Sequence, residues 1–180
     1  MLETVICAGL GGQGVLTAGK ILMYVAYDQD LKVTWFPAYG NEMRGGNASC
    51  NVVVSDKRIA SPYCDNPHMV LAMSESAVDA WMPTMEPGGL LFVNSTVVPD
   101  DKEYRDDIKV IKCPVTEIAQ GLNNERNANI VQLGQMVKYT EDSFFDIDTF
   151  SAGMCHYFES MGKGKFNEKN VECLMAGYNA

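Results

Sequence analysis

The chain has 180 residues, 47% of them hydrophobic and 21% charged, a balance that buries a core and excludes a disordered chain. Its 23 acidic side chains against 14 basic ones leave a formal charge of −9. That excludes a broad nucleic-acid or anionic-membrane surface, because phosphate backbones need a basic stripe, and a bound phosphate would have to be held locally. The length fits one domain spanning 1–180.

Met1-Leu2-Glu3 opens with an acid and no basic leader, and no apolar run approaches the roughly 20 residues of a membrane helix; the protein is expected in the cytoplasm. Thr4–Ala8 reads as a short buried strand that feeds directly into Gly9-Leu10-Gly11-Gly12-Gln13-Gly14. Val15–Tyr27 follows as a helix apolar on nearly every side, so it is expected to sit centrally. Lys32–Phe36 is a second strand, closed by Pro37, and Pro37–Gly46 is a glycine-rich loop carrying Tyr39, Glu42 and Arg44. Ala48–Val54 is β-prone, and Ser55–Pro62 reads as a turn with a short strand around Ile59.

Met69–Met73 is the next strand candidate. Ser76 with Asp79 makes a capping-box pattern for a helix running through Trp81. Gly88-Gly89 breaks that helix, and Leu90–Asn94 returns as a strand. Asp100–Asp107 reads as a charged surface loop that would tolerate insertion. Val110–Cys113 is a further strand, and Pro114 and Thr116 introduce a helix through Leu122. Ile130–Tyr139 and Thr149–Met161 look helical. In the last helix Val171, Leu174, Met175 and Tyr178 repeat at helical spacing. This order predicts an α/β, Rossmann-like three-layer domain with a largely parallel sheet and helices on both faces.

Six cysteines are scattered singly with no C-x-x-C pair, and His68 and His156 stand far apart. They read as reduced, mostly buried thiols, with no metal or cluster site expected on this chain. No acid/base pair or activated nucleophile emerges, so no catalytic residue is assigned.

Gly9, Gly11 and Gly14 satisfy G-x-G-x-x-G between a strand and a helix, where unpaired N–H groups and a partial positive charge suit an anion. A dinucleotide reading also needs an acid about 20 residues on, at the end of the second strand. Asp28 and Asp30 come before that strand, so the fingerprint is half present. Gly14–Ile21 is one residue short of a P-loop, with Ile21 where the magnesium-binding hydroxyl should stand. Alternatively, the glycines only let the first helix pack closely on the first strand. That leaves polar Gln13 at the helix entrance to be explained by a ligand or a partner chain. In the second segment, Arg44 can fork onto a carboxylate or phosphate, or simply pair with Glu42 at the surface.

Taken together, the glycine entry, Tyr39-Gly40-x-Glu42-x-Arg44-Gly45-Gly46, Val52–Val54 with Ser55-Asp56, and Ile59-x-Ser61-Pro62 resemble the gamma subunit of 2-oxoacid:ferredoxin (acceptor) oxidoreductases, the pyruvate/ketoisovalerate oxidoreductase gamma-domain family. Asn129 with Leu133-Gly134 resembles a further shared segment, and Asn41 stands where a proline is common. The resemblance runs over nearly the whole chain, at the length expected of a free-standing gamma subunit. It implies an enzyme that decarboxylates a 2-oxoacid oxidatively to an acyl-CoA and passes two electrons to ferredoxin or another acceptor. It further implies thiamine diphosphate, magnesium, 4Fe–4S clusters and CoA held on or with other subunits, and no tightly bound cofactor on this one. The implied partners are alpha and beta chains, with or without a ferredoxin-like delta chain; nucleic acid and membrane are not among them. The gamma chain would have a structural and CoA-proximal role and be inactive alone. Gly11, Gly12, Gln13, Gly14 and Arg44 are then either CoA-proximal or interfacial, and Tyr39, Glu42, Arg44, Gly45 and Gly46 are interface candidates. Should the resemblance mislead, the alternative is a stand-alone nucleotide- or dinucleotide-binding module.

Overall fold

In the computed structural model, which describes residues 1–39, 45–140 and 145–180, β1 (Leu2–Leu10) is the strand around which the sheet is built. Its side chains alternate, Val5 and Cys7 to one face and Ile6 and Ala8 to the other. All four are essentially buried, as in a strand covered on both sides. A helix, α1 (Val15–Asp28), carries the chain to β2 (Lys32–Tyr39), and β3 (Asn47–Ser55) comes back between β2 and β1. The link 40–46 falls short of the dozen or so residues that a parallel crossover needs. Accordingly β3 runs antiparallel to both neighbours. Beyond β1 lie β4 (Met69–Ala72), β5 (Leu90–Asn94) and β6 (Lys109–Cys113), all parallel to it, in the order β2-β3-β1-β4-β5-β6.

The expected α/β architecture, with a largely parallel sheet, is what forms, but the two faces are unequally covered. One carries α1, α3 (Val115–Gly121), α4 (Ala128–Thr140), α5 (Ile147–Ser160) and α6 (Asn167–Asn179). The other carries α2 (Glu75–Trp81) and irregular chain on either side of it. The most deeply packed helix is α4 rather than α1. Every residue of α4 from Ala128 to Val137 is buried, whereas α1 leaves Lys20, Tyr27 and Asp28 exposed.

Several local expectations are corrected. Pro37 does not close β2, which continues to Tyr39 with Pro37 opposite Cys50; an edge strand tolerates a residue without an N–H. The stretch around Ile59 forms no strand. It is held by a Cys64 N–H bond to Asn51 Oδ1 (3.3 Å), with Ile59 against the second core. The cap of α2 is Ser74, whose Oγ accepts from the Ala77 N–H at 3.2 Å, while Ser76 donates to Asn47 Oδ1 at 3.1 Å. The 100–107 stretch is the charged surface loop expected, and it is also anchored. Arg105 reaches the carbonyls of Met82 and Met85, both at 2.9 Å, and Lys102 pairs with Glu75 and Asp79.

The six cysteines are free thiols, five of them buried and Cys155 half-buried. Cys7 and Cys50, distant in sequence, stand directly opposite across β1 and β3. Burial pushes the Cys64 and Cys113 thiols up to about 11. Among the described residues no cluster of three or more metal-ligating side chains forms, and no helix is long and apolar enough to cross a membrane.

Candidate functional site

The glycine turn lies at the C-terminal end of β1, beside the C-terminal end of β4, where open α/β sheets form ligand crevices. Its shape comes from Gln13, which folds back into the turn. The Gln13 Oε1 accepts from the Leu10 N–H at 2.7 Å, and its Nε2 donates to the Met73 carbonyl at 2.9 Å. A side chain on Gly9 would occupy the space that the Gln13 amide takes. Thus the amide that the sequence offered to a ligand or partner is spent joining the turn to the end of β4.

Gly14 caps α1 in the left-handed conformation, with φ 75°. Its carbonyl accepts from Asn129 Nδ2 at 3.0 Å, and a Cβ at Gly14 would lie 2.8 Å from that nitrogen. Asn129 therefore fastens the start of α4 to the start of α1, while its own Oδ1 is buried without a partner. Three residues on, Gln132 Nε2 donates to the carbonyls of Ala72 (3.3 Å) and Phe92 (3.2 Å) and ties α4 to the end of β4 and the middle of β5. The sequence marked Asn129 only through the family resemblance it shares with Leu133-Gly134; nothing in its spacing signalled a bond to Gly14.

The second segment meets the first through its backbone. Gly11 N–H donates to the Gly46 carbonyl at 2.8 Å, so Gly11–Gly14 and Gly45–Gly46 form one surface. Gly11 and Gly12 are exposed. The first turn of α1 has no side-chain cap and no acidic residue, so nothing offsets the partial positive charge of a helix start there. A cleft of about 290 Å³ adjoins this surface, lined by Gly9, Ala38, Asn47, Ser49, Ser76 and Trp81 among others. Glu42 and Arg44 lie outside the described residues; Tyr39 ends β2.

Two nucleotide readings fare poorly on this geometry. In a dinucleotide fold the second strand lies next to the first, so that its acid reaches the ribose. Here β3 intervenes, and the end of β2 stands two strand spacings, about 10 Å, from β1. The P-loop-like stretch is already helix from Val15, leaving no loop to wrap phosphates.

Comparison with known proteins agrees with the geometry. Residues 4–180 match the family model described as pyruvate ferredoxin/flavodoxin oxidoreductase. The ketoisovalerate oxidoreductase subunit VorA of Methanothermobacter marburgensis is 33% identical over 175 residues, covering 94% of this chain and 34% of its own. The chain thus spans about a third of that relative's length. The 2-oxoglutarate synthase subunit KorC of Methanocaldococcus jannaschii is 32% identical over 180 residues, covering 99% of this chain and 93% of that one. Among solved structures, the keto/oxoacid ferredoxin oxidoreductase gamma subunit from Geobacter sulfurreducens superposes with a TM-score of 0.79 at 26% identity, over 98% of this chain and 96% of that one. The match along almost the whole chain decides the family: this chain belongs to the pyruvate ferredoxin/flavodoxin oxidoreductase family, as a chain of its gamma-subunit type.

Proposed function

We propose that this chain is the gamma component of a multi-subunit 2-oxoacid:acceptor oxidoreductase, which converts a 2-oxoacid and CoA to an acyl-CoA and reduces ferredoxin or a similar acceptor. In this reading thiamine diphosphate, magnesium and the iron–sulfur clusters belong with alpha, beta and ferredoxin-like chains. The observation that carries it is the family match over residues 4–180, which includes the glycine turn and every element that braces it. Relatives named for different oxoacids are similarly distant, at 33% and 32% identity. The proposal therefore names the substrate by class, a 2-oxoacid. A tagged chain purified from its host should bring down larger partners, iron and a CoA-dependent 2-oxoacid oxidation. A chain that comes down alone, without iron or that activity, would end the assignment.

Within the assembly, the surface made by Gly11–Gly14 and Gly45–Gly46 is proposed to face the phosphate-bearing part of CoA. The uncapped start of α1 supports this, since its N–H groups suit a phosphate. A second reading makes the same surface a subunit contact. It is favoured by the exposed glycine backbone at Gly11 and Gly12, against which another chain could pack closely, and by the internal use of Gln13. Arg44→Ala in the assembled enzyme separates the two. A raised KM for CoA with the complex intact supports the CoA reading, and dissociation on a sizing column supports the contact.

A further inference from the structure

A second cleft, of about 420 Å³, opens where the one-turn helix Glu125–Asn127, the end of α5 and the start of α6 converge. None of the residues lining it belongs to the glycine turn or to residues 45–49. Its lining brings together Arg126, Lys163 and Lys169 with the rings of Phe158 and Phe166. In a chain with only 14 basic residues and a charge of −9, three cations on one cleft are conspicuous. None of the three forms an ion pair among the described residues; the ion pairs involve Lys102, Arg105, two histidines and the N-terminus. A fourth cation, Lys165, sits 5.0 Å from the centre of the Phe166 ring.

The second, independent observation is Asn170, which also lines the cleft and is 3% exposed. Its Oδ1 accepts from Asn127 Nδ2 at 2.7 Å, which fixes the amide, yet its own Nδ2 has no acceptor. A buried donor left unpaired costs stability unless something completes it. Three unpaired cations and an unpaired amide N–H₂ offer donors only, so the complementary group is an acceptor-rich anion. The two phenyl rings add an apolar wall suited to a flat body, and the cleft has the size of a small-molecule site.

We infer that this cleft is a binding site for a small organic anion, a phosphate or carboxylate held by Arg126, Lys163, Lys169 and the Asn170 amide, with a flat body against Phe158 and Phe166. The inference stands apart from the oxidoreductase reading, because it uses none of the same residues and its test does not read activity. The probe is AMP, titrated calorimetrically into the full-length chain at low salt, beside adenosine and inorganic phosphate. AMP should bind more tightly than either fragment, and added salt should weaken it. Both lysines are exposed, so Lys163→Ala/Lys169→Ala should fold normally and bind AMP roughly 100-fold more weakly, about tenfold for each charge-assisted contact. Absence of binding by all three probes would overturn the site. So would AMP binding that survives the double variant but disappears in Arg44→Ala, which would put the nucleotide at the glycine turn. A double variant that loses its partner subunits while the native chain never binds AMP would show that the cleft seats an acidic segment of another chain, and would also overturn it.

Discussion

Gly14 does three things at one position. It takes a φ of 75°, it begins α1, and it leaves room for the Asn129 amide that bonds its carbonyl. Alanine there would pay about 1–2 kcal/mol for the left-handed backbone and, by displacing Asn129, about 1 kcal/mol for the lost hydrogen bond. Gly14→Ala should therefore lower stability by about 2–3 kcal/mol in urea denaturation; an unchanged midpoint would show that Asn129 can move aside freely. Gln13 illustrates the opposite relation between residue and reading. A glutamine among glycines at a helix entrance looks available to a ligand, yet both ends of its amide are satisfied by Leu10 and Met73. Whether a polar side chain is free depends on which main-chain groups lie within about 3 Å, and Met73 arrives from just past the end of another strand.

At the scale of elements, the tightest packing is between α4 and α6. A Cβ on Gly134 would run into the Leu174 carbonyl, and one on Gly177 into that of Val131. The two helices approach through their glycines at backbone contact. Helix propensity alone predicts that alanine at an exposed helical glycine stabilises by about 1 kcal/mol. Here overpacking, typically about 1–3 kcal/mol, meets main chain that cannot rotate away. Gly134→Ala should therefore destabilise by about 3 kcal/mol, and a stabilised variant would refute the close crossing. The periodicity of α6 and the apolar run of α1 were legible in the sequence because an amphipathic or buried helix writes its pattern into consecutive turns. The cap of α2 was not, since Ser74 and Ser76 both suit a helix start and the backbone turns at the first.

Among the described residues no charged side chain is buried while five of the six thiols are, and both facts shape the response to pH. The N-terminal ammonium holds Asp56 below the usual carboxylate range, Arg105 does so for Asp107, and the Thr149 N–H and hydroxyl do so for Asp146. A lowered native pKa stabilises above the ordinary Asp value of about 3.9 and is lost as pH falls through the lowered value. At the other end, burial raises Cys64 and Cys113 to about 11. Their stabilisation is full below the unfolded thiol value of about 8.5 and is lost as pH rises towards 11. Denaturant midpoints measured from pH 3 to pH 11 should form a plateau that falls below about pH 4 and again above about pH 8.5. A midpoint that holds level from pH 9 to pH 11 would contradict burial of the two thiols.

The sequence by itself determined the element order, the glycine-rich entrance to α1 and the family resemblance, because each is written in neighbouring residues or in motifs of a few positions. Only the tertiary structure decided the antiparallel insertion of β3, the unequal covering of the two faces, the Asn129 clasp on Gly14 and the gathering of Arg126, Lys163 and Lys169 around Asn170. These are contacts between residues tens of positions apart. Local propensity carries no record of such pairs, and they come together only when the sheet and its helices close over a common core.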